Sequence, residues 1–472
     1  MEAAKQAMQR TMSSPDAFWT IGIPAMFVLL AIVYFSMAFW YKNQYGLYRS
    51  ETDSINNLLA IRRQKLDAAI GPLAANDQSI CLNLLRKRGV YSQIPENASA
   101  LVNWRPLSVR LSGYLGGDKT ARDGVFDMTK GIQLSLHMGA RCFIFDIDYL
   151  EDRPCEPRLI HRDDQGIMRS LHTGSIKDGM TALSKMAFNS NYDPVIVVIY
   201  LRRVPIGKMQ QTTFFKAVAS SLDPLSIYHL GSTEQGNFHN CRSESHLFTT
   251  QITNFQKKFI VLTNYNTNLL PSTPNPKDNL DFWTNARLYV DPSGASSSLG
   301  SITSSVPQGQ VAYAKVGSTQ QLLQVPPDAV GSPTTSNYLN GTSNTFTIAL
   351  SSMEDVFTTA QLSTLLNTLG IQCVPIDILR LGDTAHHVKT LTNPGDPTTL
   401  FNLSNATNPT DPLSFWTYAG WSRKQIIKSE GFQDMKPVPV AADIPGFIIP
   451  KAIVPKKPPP STNSNGGLVN IS

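Results

Sequence analysis

Residues 139–166 read GARCFIFDIDYLEDRPCEPRLIHRDDQG. The run first alternates apolar side chains onto two faces and delivers Asp146 and Asp148. After a turn-rich gap, a second short apolar run ends on His161. Two carboxylates and an imidazole at the ends of neighbouring strands are half of an acid/base site, because each can hold or release a proton within reach of a bound substrate. Clustered carboxylates also suit a hard cation: Asp146 and Asp148 with Asp163 or Asp164 would offer calcium its oxygens. The plain structural alternative is an acid–imidazole cluster that satisfies itself at a barrel rim, since ion-pair networks collect the same residues. Arg202 and Arg203, at the end of a later strand, could hold a phosphate group or stand as a solvated pair. His386 and His387 lack a third ligand at metal spacing, and Cys155 lacks the basic neighbours that mark a nucleophilic thiol.

Positioning such groups requires strands that end together. PLSVRLSG (106–113) has strand character, MTKGIQLSLHMGA (128–140) is helical, RCFIFDID (141–148) is a second strand and RLIHR (158–162) a short third run. A helix follows over 175–190, with Ser175 as N-cap and Ile176, Met180, Leu183 and Ala187 on one face. PVIVVIYL (194–201) is the unbroken apolar run of a strand buried on both sides of a parallel sheet. A helix over 211–222, a strand over 257–265, and a helix-to-strand unit over 359–379, with Gly370 as the helix stop, continue the alternation. Strands alternating with helices over most of the chain predict a (β/α) barrel or a doubly wound sheet. No glycine-rich phosphate loop follows the first strand, which argues against dinucleotide and P-loop folds.

The flanks set the organisation. Residues 17–41 carry no charge, and Trp19 and Trp40 would stand about 30 Å apart in a helix, the thickness of a hydrocarbon core with an aromatic at each rim. The run is too long for a signal-peptide core and predicts a single-pass membrane protein. Lys42, Arg49, Arg62, Arg63 and Lys65 follow the span, which keeps the larger part on the cytosolic side, although sequons begin at Asn97, Asn340, Asn402, Asn405 and Asn470. The predicted segments are 1–16 (N-terminal), 17–41 (membrane helix), 42–100 (helical linker), 101–432 (barrel) and 433–472 (arm). A Ser/Thr-rich loop, 293–344, is inserted in the barrel, and the arm is Pro-rich and extended. A net charge of +6 with scattered basic residues gives no nucleic-acid footprint. Five cysteines show no metal spacing and are expected to be reduced thiols.

At residues 105–203 the order of motifs resembles the catalytic X-domain of phosphatidylinositol-specific phospholipase C, an order shared with glycerophosphodiester phosphodiesterases. That family runs a helix into Gly-x-Arg (Gly139, Arg141), a strand ending on acids, then Glu-Pro (Glu156, Pro157), a histidine, a helix and a Pro-Val-Ile strand (Pro194–Ile196). GIQCVPIDIL (370–379) and FWTYAGWSRK (415–424) are similar to its closing strand and aromatic-rich end. The resemblance implies a TIM-type (β/α) barrel with its site at the C-terminal strand ends. It also implies two imidazoles working as general base and general acid, with calcium or an arginine stabilising phosphate charge. His161 matches the second histidine and Asp146 the strand-end acid. The first histidine is missing: Gly113 stands in its place, and His137 lies on the helix leading into strand two. The calcium branch's strand-three glutamate falls on Tyr200, and the metal-free branch's arginine falls on Asp148.

These departures predict a degenerate phosphodiesterase barrel with no cofactor, reused as a structural or interaction protein that ties a bilayer (through 17–41) to neighbouring protein subunits. A minor capsid or membrane-linking protein of a large membrane-containing DNA virus would combine such features. Phe447, Ile448, Ile449 and Ile453 of the arm would dock on a neighbouring subunit. The alternatives are an active lipid phosphodiesterase, with calcium as its metal, and a headgroup-binding module.

Overall fold

The computed structural model describes residues 23–70, 100–116, 124–137, 139–163, 166–189, 191–231, 244–290, 314–324, 345–350, 364–375 and 421–423, with a few single residues between them. Contacts divide the chain into two units, Met1–Ile61 and Arg62–Ser472. Helix α1, Ile23–Ile70, accounts for most of what is described of the first. Its Ile23–Lys42 portion is 20 residues long with a mean hydropathy of 2.1, and no part of it is buried by protein. Pro24 sits in the first turn, where its missing N–H has no intrahelical partner to lose. A helix apolar on all sides and exposed on all sides is long and apolar enough to cross a bilayer. The helix is described from Ile23 and continues without a break to Ile70, into the segment expected as a helical linker.

In the second unit the first strands are β1 (Trp104–Pro106), β2 (Ser108–Arg110), β3 (Tyr114–Leu115) and β4 (Val125–Phe126). Helix α2 (Met128–His137), with Asp127 Oδ1 accepting from the Lys130 N–H at its start, leads into β5 (Cys142–Leu150). Strand β6 (Arg153–Leu159) turns back on β5 as an antiparallel hairpin, with Leu150 opposite Arg153. The sequence predicts a short strand near RLIHR, but the two-residue Glu151–Asp152 connection allows only a hairpin partner. Helix α3 (Ile176–Met186) starts on Ser175, whose side chain accepts from the Asp178 N–H, and buries the expected face of Ile176, Met180 and Leu183. Then come β7 (Val195–Leu201), α4 (Lys208–Ser221), β8 (Phe259–Thr263), β9 (Ala286–Arg287) and β10 (Tyr289–Val290). The last described strands are β11 (Ala314–Ser318), β12 (Phe346–Leu350) and β13 (Trp421–Arg423).

Strands β2-β5-β7-β8-β9 lie side by side and parallel, with β6 added antiparallel to β5. Strands β10-β11-β12 form a second parallel sheet, bridged at Ile348 to Cys373. Alternation along β5 turns Cys142 and Ile144 inward, where they share one core with Ile196 and Val198 of the first sheet and Val316 and Ile348 of the second. The other face carries Phe145 against Gly179 of α3. Strand β7 is buried throughout, as expected of a central parallel strand. The described residues thus form a mixed α/β body of mostly parallel strands. Where the backbone ladder runs out, asparagines finish it. Asn264 accepts from the Leu201 N–H (2.8 Å) and donates to the Leu201 carbonyl (2.9 Å). Asn285 does the same for Val261 and Leu230.

One stretch differs from expectation. The Ser/Thr-rich stretch 293–344 includes β11, because Ala314 and Val316 alternate inward. The arm, 433–472, with Phe447, Ile448, Ile449 and Ile453, lies outside the described residues, as do His386 and His387. Just before it, β13 pairs antiparallel with β1, Trp104 opposite Arg423. Trp421 is fully buried and donates its indole N–H to the Pro194 carbonyl at 3.0 Å. Strand β13 therefore closes against β1. Trp421→Ala should cost about 3–5 kcal/mol, read from chemical denaturation of the full chain. Deleting 435–472 should leave the melting temperature unchanged.

Candidate functional site

Asp146 and Asp148 lie in the second half of β5, Arg202 and Arg203 follow β7, and His161 lies beyond β6. Parity places Ser108 and Arg110 of β2 on the face of Cys142, Ile144 and Asp146, with Arg110 opposite Ile144 and Asp146 opposite Tyr200. Arg110 reaches Asp146 with both prongs: Nε donates to Oδ2 and Nη2 to Oδ1, each at 2.7 Å. Their side chains are 4% and 1% exposed. A bidentate pair of this kind occupies both carboxylate oxygens.

Asp148 is held from two sides. It accepts from Arg162 Nε (2.8 Å), from Arg203 Nε (2.6 Å) and from the Tyr149 N–H (2.8 Å). Both arginines continue to the exposed Glu151, at 3.2 Å from Arg162 Nη2 and 2.9 Å from Arg203 Nη1. Arg203 also lies 4.5 Å over the Tyr149 ring and donates to the Tyr149 carbonyl at 2.7 Å. The hydrogen bond from Arg203 holds the Glu151 carboxyl below its ordinary pKa. Burial alone would lower the Arg203 guanidinium, but Asp148 and then Glu151 outweigh it and its pKa is raised. The result is a charge-balanced group of two guanidiniums and two carboxylates. The hairpin that brings Glu151 beside Asp148 makes it possible.

Asp163 pairs with Arg169 at 2.6 Å and accepts from the Ile167 N–H at 2.7 Å, and Asp164 lies outside the described residues. Among the described residues no group of three His, Cys, Asp or Glu is placed to hold a metal ion. Each strand-end carboxylate already has a guanidinium, which a calcium ion would have to displace. The donor set does not suit that ion.

Gly113 sits in a tight turn between β2 and β3. Its φ of +97° is in the left-handed region, and a Cβ there would come 2.9 Å from Met128 Cα and 3.1 Å from the Asp127 carbonyl. Backbone on two sides cannot yield as a side chain can, so position 113 has no room for histidine. His161 is buried at 7% exposure, with its ring 4.5 Å from that of Tyr114. Tyr114 lies 5.4 Å from Phe126, which lies 6.2 Å from His172. His172 Nε2 sits on the Phe126 backbone, 3.3 Å from its nitrogen and 3.2 Å from its carbonyl oxygen. Burial lowers the His172 pKa against that backbone bond. Two imidazoles thus end a chain of four rings.

The two arginines proposed for phosphate have separate environments. Arg203 is committed to Asp148 and Glu151, whereas Arg202 is half-buried with no hydrogen-bond or ion-pair partner among the described residues. Sequence analysis missed Arg110, Arg162, Glu151 and His172. Arg110 had a usable signal: a charge at an inward position of a strand needs an inward partner. The others had none, because a hairpin register decides them.

No family model matches the sequence, and no curated protein matches it. Among solved structures the chain is similar to PLC21 of L. pealei, with 13% identity and a TM-score of 0.42 over 70% of this chain and 38% of that one. It is similar to PLC21 of S. officinalis at 13% identity and a TM-score of 0.43, over 70% and 37%. A calcium-dependent phosphoinositol-specific phospholipase C of Pseudomonas sp. is similar at 9% identity and a TM-score of 0.34, over 59% and 91%. The matched region spans well under half the length of the first two proteins.

Two outcomes test this geometry. Arg110→Ala should destabilise the chain by about 3–5 kcal/mol by stranding a buried carboxylate, while the double change Arg110→Met with Asp146→Leu should recover most of the loss, both read from urea denaturation. Glu151, with its folded pKa below the ordinary 4.5, stabilises above that value and loses its contribution as pH falls through the folded pKa. Glu151→Gln should therefore be less stable than wild type at neutral pH by about 0.2–1 kcal/mol, the range for exposed pairs. That gap should close below pH 4.5 in a pH series of thermal melts.

Proposed function

We propose that this protein is a membrane-anchored, phospholipase-C-like (β/α) barrel that has lost turnover and serves as a structural or interaction module between a bilayer and a protein assembly. The observation that carries the proposal is Gly113, whose surroundings leave no space for the general base that the resemblance requires. Losing one acid–base partner alone removes about 10²- to 10⁴-fold in rate. Support also comes from Asp146 and Asp148, whose oxygens serve Arg110, Arg162 and Arg203 instead of a metal or a substrate hydroxyl. The apolar helix provides the anchor, and the Pro-rich arm with Phe447, Ile448, Ile449 and Ile453 provides the contact with a neighbouring subunit. A membrane-linking place in a virion is one setting for that pairing.

One observation favours a second reading. Arg202, half-buried and free of partners among the described residues, would suit a phosphate-bearing headgroup held without turnover.

The test is turnover. Purified full-length protein should release no water-soluble inositol phosphate from phosphatidylinositol vesicles and should cleave no glycerophosphodiester, with calcium or with chelator. Product formation that His161→Ala abolishes would overturn the proposal in favour of an active phosphodiesterase.

A further inference from the structure

Cys142 opens β5, opposite Ser108 of β2. Cys373, 231 residues later, pairs with β12: its N–H donates to the Thr347 carbonyl at 3.0 Å, and its own carbonyl accepts from the Ala349 N–H at 2.8 Å. The two sulfur atoms are 3.8 Å apart, and both residues are fully buried. Three elements therefore meet at one point: the opening strand of the first sheet, its neighbour, and the segment that extends the second sheet. Burial raises the Cys373 thiol well above its ordinary pKa, with Cys142 adding to the effect, so bulky alkylating reagents should find neither sulfur. The sulfur–sulfur gap exceeds a bonded pair by about 1.8 Å, which the two sulfurs must close to bond.

We propose that Cys142 and Cys373 form an oxidation site, a thiol pair that closes to a disulfide and fastens the extension of the second sheet to the first. The oxidant is a peroxide small enough to enter the core. When a local opening of the core admits water and peroxide to the pair, one thiol gives up its proton and its sulfur attacks a peroxide oxygen, giving a sulfenic acid and a hydroxide that the released proton turns into water. The second sulfur then attacks the sulfenic sulfur, and the departing hydroxide takes the remaining thiol proton as a second water. Two thiols and one hydrogen peroxide become one disulfide and two waters. The sulfurs lose two electrons and the peroxide gains them. The closed loop of more than two hundred residues restricts the unfolded chain, so the bond favours the folded one.

Full-length protein in detergent, treated with hydrogen peroxide, acid-quenched and alkylated under denaturing conditions, should yield a cross-linked Cys142–Cys373 peptide by mass spectrometry. The chain should run faster on a non-reducing gel, and its melting temperature should rise by on the order of 5 °C and fall back with dithiothreitol. Cys142→Ala and Cys373→Ala should each lose the cross-link, and Cys155→Ser should keep it. Thiols that stay free after treatment, a cross-link through Cys155 instead, or a lower melting temperature in the oxidised protein would each overturn the proposal.

Discussion

A guanidinium and a carboxylate removed from water between parallel strands must satisfy each other fully, and Arg110 and Asp146 do so with two 2.7 Å hydrogen bonds. Much of the architecture around the candidate site follows from that pairing. It requires β2 and β5 in a register that puts Arg110 beside Ile144, one step below Asp146. It requires the interior below to be apolar, and Ile144, Ile196 and Val198 make it so. It also shapes the strand end, because both carboxylate oxygens of Asp146 are taken by guanidinium nitrogens.

The same logic spreads outward along the hairpin. Asp148 is buried at 2% exposure and would be costly alone, yet Arg162 and Arg203 reach it from separate loops and share Glu151 beyond it. Charge is balanced at each level, from the buried pair to the exposed rim. At Gly113 the positive-φ turn brings the backbone of Asp127 and Met128 close to where a Cβ would stand.

Anchorage and core use opposite halves of the same physics. The helix Ile23–Ile70 exposes an apolar portion, Ile23–Lys42, that is long and apolar enough to cross a bilayer. Strand β7, equally apolar, is buried on both faces because helices and neighbouring strands cover it. Near the chain end, β13 returns to β1 and seats Trp421.

Local pattern made a good part of this legible. The uninterrupted apolar run, the alternation of β5, the continuous run of β7, and Ser175 ahead of its helix are all properties of neighbouring residues, and each reappears in the structure. Asp146 and Asp148 stand in the second half of β5, as its alternation predicts. Partners were not legible. Arg110 lies 36 residues from Asp146, Arg203 lies 55 from Asp148, and Cys373 lies 231 from Cys142. The β6 hairpin and the strand inside the Ser/Thr-rich stretch escaped for a related reason, since register and crossover choose their partners rather than composition. The sequence by itself determined which residues stand at the strand ends, through periodicities a few residues long. Only the tertiary structure decided what those residues are bound to, because burial makes each charge and thiol find its complement among residues far along the chain.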